Sequence, residues 1–460
     1  MATTITQEPL YNPLPVGQDI IFTLTNASVV STYFNVKFIA EVYISNSTPS
    51  TATANLVGTF KTTPNTVGVG IFDFSAVVET HVKADNLSGI LSSYKGSLSL
   101  AAPFPPIHII DKLSFNTNTM RWMTIKFSIE GSTTATGIPS EIAGQSVNSV
   151  DFKIFNGYVK HTNKLDVFNN DIGLDIGIGS DTHLELGSTT ASFLSNAPTT
   201  QYANINDYGT VGLLPLNDNL SSMKFIYYNS AGVSLGNESV STFISSSSSV
   251  IQKVLYFGCF PGNLQNWSTT FQGLVTANTI QGGYYTVQGF NASNDAISAL
   301  YTINVSCPNL KNYEPIRLAW LNQWGAWDYY TFTLKSSRTI STQGSTYNQL
   351  EGTWNESAFR LNGFKGGKRS FRVNATEKVT MNTDYVNESE SEWFEDLINS
   401  PEVYMLEGYQ TDSAFSMLNT YVTPVRLTTS SYTRKTIAND KLMQYTFEVE
   451  KSKTFRTQSV

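Results

Sequence analysis

The side chains of this sequence that could bind a metal or perform covalent catalysis are few, and their spacing does not suit either task. Four histidines, His81, His108, His161 and His183, stand apart from one another. None lies in an H-E-x-x-H pattern or beside a cysteine pair, so no zinc centre is implied. There is no G-x-S-x-G elbow for a nucleophilic serine. Catalytic carboxylate pairs leave no fixed spacing, so a glycan depolymerase stays as a third reading, without the short regular repeats of a β-helix to support it. The run Asp171-Ile-Gly-Leu-Asp175-Ile-Gly-Ile-Gly-Ser-Asp181 looks loosely like a calcium turn. It lacks the oxygen donors at positions 1, 3, 5 and 12 that an EF-hand needs, and reads as a glycine-rich hairpin or surface loop. Gly363-Phe-Lys-Gly-Gly-Lys368-Arg-Ser lacks the spacing of a phosphate cradle. It reads as a basic hairpin tip whose Lys365, Lys368, Arg369 and Arg372 could meet an acidic neighbouring surface. The reading is therefore non-enzymatic: no catalytic, cofactor-binding or metal-binding residue is expected, and no cofactor.

Two segments suggest contact rather than catalysis. Arg317–Phe332 places Trp320, Trp324 and Trp327 within eight residues around Asn322–Ala326, and Gly325 supplies the positive φ of a tight hairpin. One reading packs all three indoles in a local core; the other exposes at least one as an interface or a sugar platform. Trp320 and Trp327 are assigned to the core and Trp324, at the turn, to an interface. The second segment is residues 1–17. Pro9, Pro13 and Pro15 keep it extended, and Leu10, Tyr11 and Leu14 need a surface to lie on. It is expected to dock on another subunit or domain.

The scaffold that must hold these segments reads as all-β. Charged residues are 14 % of the chain, well under the usual quarter or so, and Ser, Thr, Asn and aromatics take their place. Those types suit pleated sheets and turns. Phe34, Val36, Phe38, Ala40, Val42 and Ile44 alternate with the residues between them, the pattern of a half-buried strand. Several immunoglobulin- or fibronectin-like β-sandwich domains in series are expected: 18–132, 147–249, 250–335 with the aromatic hairpin, and a β-rich 336–460. The Gly/Ser/Thr-rich loop 131–146 and the serines 245–249 mark the boundaries. One helix is expected near 390–399, started by a capping box at Ser389 and Glu392 and ended by Ser400-Pro401. Cys259 and Cys307 read as buried apolar thiols, a single disulfide being the alternative. The net charge of −7 argues against direct sequence-specific binding of nucleic acid. No apolar run is long enough to span a bilayer, and Met1–Glu8 has no basic start or apolar core of a secretory signal.

The pattern formed by Trp320, Leu321, Asn322, Gly325, Trp327, Asp328, Tyr330 and Phe332 resembles a segment of structural proteins of tailed bacteriophages infecting Bacteroidetes, including crAss-like phages. Tyr11-Asn-Pro-Leu, Gly70-Ile-Phe-Asp-Phe-Ser, Ser400-Pro-Glu-Val-Tyr404, Pro424-Val-Arg-Leu, Tyr432-Thr-Arg-Lys and Lys441-Leu-Met-Gln-Tyr are similar to other parts of such proteins. The resemblance is spread over the whole chain and carries no catalytic residue. It implies a virion component of tail, baseplate or neck, made in the host cytoplasm and assembled with other virion proteins. The expected form is a homo-oligomeric ring. The alternative is a receptor- or glycan-binding adhesin that uses the aromatic hairpin.

Overall fold

The computed structural model describes residues 2–9, 13–46, 48–84, 113–115, 119–158, 192–213, 220–241, 254–306, 313–354, 356–407, 422–433 and 443–456. The fold is all-β; among the described residues it has five sheets and five short α-helices. Two compact units emerge. One comprises the described parts of 1–307 with 321–328, the other those of 308–320, 329–411 and 419–460.

In the first unit, Ile21–Thr25 pairs with Thr4–Gln7 on one side and Val69–Asp73 on the other. A second sheet runs Leu14–Pro15, Phe152–Phe155, Met120–Ser132, Phe34–Ser45, Leu56–Thr62. Period-two alternation turns one face of each sheet inward. Val36, Phe38, Ala40 and Val42 are buried as the pattern requires. Phe34 departs from it: the register shifts between Phe34 and Lys37, Asn35 takes φ of 53°, and Phe34 is half-exposed. Rings from the two sheets meet, with Phe22 5.7 Å from Phe127 and 5.9 Å from Phe152. That is the layered core of a sandwich.

The same unit holds a five-stranded sheet, Thr200–Ala203, Tyr301–Val305, Tyr284–Phe290, Ser222–Tyr228, Ser234–Ser241, and a three-stranded one, Thr210–Leu213, Leu255–Gly258, Leu113–Phe115. Phe225 and Phe257 join them at 5.9 Å. Two short helices follow, Pro261–Trp267 and Thr269–Thr276. The second starts where the Ser268 hydroxyl accepts from the Phe271 N–H, leaving one fewer unpaired donor at the helix end.

The second unit is built on an antiparallel sheet in the order Trp327–Phe332, Ile316–Leu321, Val403–Leu406, Val422–Leu427, Thr446–Lys451, Gly367–Asn382, Ser337–Gln349. Helix Glu388–Asn399 lies on it through Trp393 and Phe394. Trp393 sits 5.0 Å from Trp320, and Phe394 5.5 Å from Phe447. The helix stands where the sequence places it but starts two residues earlier. Asn387 accepts from the Glu390 N–H while Glu390 accepts from the Asn387 N–H, both at 2.9 Å. This cap buries Ser391 fully and takes precedence over the expected Ser389/Glu392 pair.

The two units differ from the expected division into four segments. Ser140–Glu141, Val147–Asn148 and Phe152–Phe155 all pair with Met120–Ser132, so 131–146 is a connection within one sheet. Ser222–Tyr228 pairs with Tyr284–Phe290 across the 249/250 boundary. Ile316–Leu321 pairs with Val403–Leu406 across 335/336. Runs of Gly, Ser and Thr mark where the chain leaves a sheet; they do not say to which sheet it returns.

Candidate assembly surface

Of the four residues expected at an interface, Leu10 and Tyr11 lie outside the described residues. Leu14 is fully buried. Its segment has a strand partner of its own, pairing in parallel with Phe152–Phe155 through Ile154↔Leu14, and Leu14 joins the core around Phe22, Phe127 and Ile154. Leu14 thus finds its apolar surface within the chain and is corrected from interface to core. Trp324 is corrected likewise. It is 2 % exposed, and its indole N–H donates to Asn196 Oδ1 at 2.9 Å. Trp320 and Trp327 are buried as expected. The sequence missed the reason for burying a turn: Asn322 Oδ1 accepts from the N–H groups of Trp324 and Ala326, at 3.0 and 3.1 Å. The polar backbone of the tip is satisfied from within. Gly325 takes φ of 73°, and an added Cβ would collide with the Asn156 carbonyl oxygen. The aromatic hairpin presents no exposed indole for a glycan.

Among the described residues, no group of three or more His, Cys, Asp or Glu side chains could hold a metal ion, and no helix is long and apolar enough to cross a membrane. Cys259 is fully buried. Cys307, His108, His161, His183 and Asp171–Asp181 lie outside the described residues. His81 is described; burial, then the nearby Arg121, pushes its imidazole below the usual histidine range.

The surface that stands out is the other hairpin, Ser337–Gln349 with Gly367–Asn382. Among the described residues, strand Gly367–Asn382 has a second neighbour only as far out as the Asn374↔Arg456 pair. Beyond it, Gly344–Gln349 and Gly367–Val373 form a two-stranded ribbon closed by residues 350–366. Such a ribbon is marginal in water when nothing covers it. Ser, Thr, Gln and Asn fill most positions on both faces of the outer Ser337–Gln349 strand, and it is exposed almost throughout. The tip is the opposite. Leu350, Trp354, Phe359, Leu361 and Phe364 are each more than two-thirds exposed. Five large apolar side chains exposed on one loop differ from the singly scattered apolar residues usual on a protein surface. Basic groups stand beside them. Arg369 donates to the Phe364 carbonyl, and Lys365 lies 5.9 Å from the Phe364 ring.

The tip is built. The Thr353 N–H donates to the Arg360 carbonyl at 2.8 Å, and Thr353 Oγ1 accepts from the Arg360 N–H at 2.9 Å. Gly352, Gly366 and Gly367 supply positive φ where the chain turns. The base is anchored by charge. Arg338 reaches Glu314 at 2.6 Å, Glu377 at 2.7 Å and Glu407 at 3.1 Å, and Lys451 reaches Glu377 and Glu407 at 3.2 and 3.0 Å. Glu314 foremost holds the Arg338 guanidinium charged. Burial would raise the Glu377 carboxyl, but hydrogen bonds from Arg338 and Lys451 outweigh it and hold the group below the usual carboxylate range. The ribbon thus carries aromatic faces and cationic donors at its tip and ion pairs at its base.

No protein-family model matches this chain, and no curated protein matches it. Among solved structures, a cryo-EM reconstruction of native E. coli alpha-2-macroglobulin aligns over 82 % of this chain and 21 % of its own length, at 7 % identity and a TM-score of 0.19. The chain thus spans about a fifth of that protein, and a likeness at this level carries no argument about fold or function.

Proposed function

We propose that this chain is a non-enzymatic structural protein that assembles into homo-oligomeric rings, as a tail, baseplate or neck component of a tailed bacteriophage. The observation that carries the reading is the projecting arm, with five exposed apolar side chains on a tip whose backbone is held by its own hydrogen bonds. A soluble monomer gains nothing from such a tip, whereas an assembling one covers it. The resemblance to phage structural proteins supplies the setting, a virion in which sandwich domains repeat around an axis. The adhesin alternative relied on an exposed aromatic hairpin, and those three indoles are buried. Sedimentation velocity of the full chain over a range of concentrations, with micrographs of the fastest species, tests the reading. Discrete species at multiples of 50.7 kDa, seen as closed rings, are expected. A chain that stays monomeric at every concentration would contradict it.

A further inference from the structure

The arm tip and the rest of the chain carry opposite charge. Of 29 Lys and Arg and 36 Asp and Glu, residues 350–372 hold five and two, which leaves 24 basic against 34 acidic elsewhere. Two tips brought together would oppose like charges; a tip against the body of another copy opposes unlike ones. Reach points the same way. At about 3.3 Å per residue the 16-residue strand Gly367–Asn382 spans ~50 Å, and its outer end lies beyond the last neighbouring strand. There Trp354, Leu361 and Phe364 remain exposed in their own chain.

We infer that the tip docks on the acidic body of a second copy of this chain, in a heterologous arm-to-body contact. Trp354, Phe359, Leu361 and Phe364 are covered by it, and Lys365, Lys368, Arg369 and Arg372 meet carboxylates. The inference rests on the self-assembly reading and gives it a direction. Each copy donates one arm and accepts one, so the contact propagates head to tail and closes into a ring when the rotation per step divides a full turn.

The test uses wild-type chain and a fluorescently labelled chain in which 350–366 is replaced by Asn-Gly, a turn that the flanking Gln349↔Gly367 pair accepts. The shortened chain accepts an arm but cannot donate one. Alone it should be monomeric. Mixed with wild type it should co-sediment and cap growth, so that mean assembly size falls as its fraction rises. Lys368→Glu with Arg369→Glu should weaken assembly about tenfold or more, and added salt should weaken the wild type in the same direction.

If the wild type assembles and the shortened chain never co-sediments with it, the contact is tip to tip and the inference falls. Full-size assemblies from the shortened chain alone also overturn it. Both results leave self-assembly standing. A wild type that is monomeric throughout removes both. A DNA oligonucleotide that binds wild type but not the shortened chain, at equal oligomer size, would assign the arm to nucleic acid and overturn the inference.

Discussion

Two hairpins lie next to each other in the chain and put their side chains to opposite uses. In Ile316–Phe332 nearly every position is buried, the turn included. In Ser337–Asn382 the outer strand is polar on both faces, the outer ribbon has no further strand neighbour among the described residues, and the large exposed apolar residues cluster at the end. Both turn through glycines of positive φ. A buried turn must satisfy its own polar backbone, which Asn322 does. An exposed turn has water for that, and its apolar side chains are there for something else. Burial converts aromatic content into stability; exposure leaves it free for the contact proposed above.

The comparison breaks most sharply at tryptophan. Trp320→Ala removes a fully buried indole packed against Trp393 and should destabilise the chain by about 3–5 kcal/mol, read in a chemical denaturation curve. Trp354→Ala, at 72 % exposure, should stay within ~0.5 kcal/mol and weaken assembly instead. Equal destabilisation by the two variants would erase the distinction.

Glycine sharpens it. Gly325→Ala forces a Cβ into the left-handed region and against Asn156. The backbone alone should cost about 1–2 kcal/mol, with the collision adding to it. A Cβ at Gly363 meets nothing within 4 Å, so Gly363→Ala should leave the melting temperature within a degree or two, about the effect of a few tenths of a kcal/mol. A matched loss at both positions would show that the tip is as tightly enclosed as the buried turn.

The smallest of the expected losses lies at the arm's base. Arg338→Ala leaves Glu314, Glu377 and Glu407 facing one another with Lys451 and should cost about 1–2 kcal/mol, discounted because the site is partly open to solvent. The folded Glu377 carboxyl lies below its ordinary value of 4.5. Its contribution is therefore complete above about pH 4.5 and is lost as the pH falls through the lowered folded value. Melting temperature followed downward through that window should fall more steeply in wild type than in the variant. Parallel profiles would show that the network does not hold the base.

Much of the fold can be read in the sequence, and the reason is local. Alternation over Phe34–Ser45 is a property of neighbouring residues, as is the helix that ends at Ser400-Pro401. Long-range pairing is not. Nothing near Phe152 says that its strand joins Met120–Ser132 on one side and Leu14–Pro15 on the other, and the expected domain division differs from the observed units for that reason. The candidate surface was half legible. The basic Lys365–Arg372 stretch is visible as a charged hairpin tip. Its apolar companions Trp354, Phe359 and Leu361 look like any core residues until their exposure is known. Trp324 misled in the opposite sense, because a tryptophan at a turn reads as exposed when the partner that covers it, Asn196, is 128 residues away.

The most direct measurement compares melting temperature and sedimentation for wild type and the chain in which Asn-Gly replaces 350–366. If the exposed hairpin serves contact and the buried one serves folding, the melting temperature measured below the assembly concentration should be unchanged while the oligomer is lost. A fall of many degrees in melting temperature, or an oligomer of undiminished size, would contradict the account.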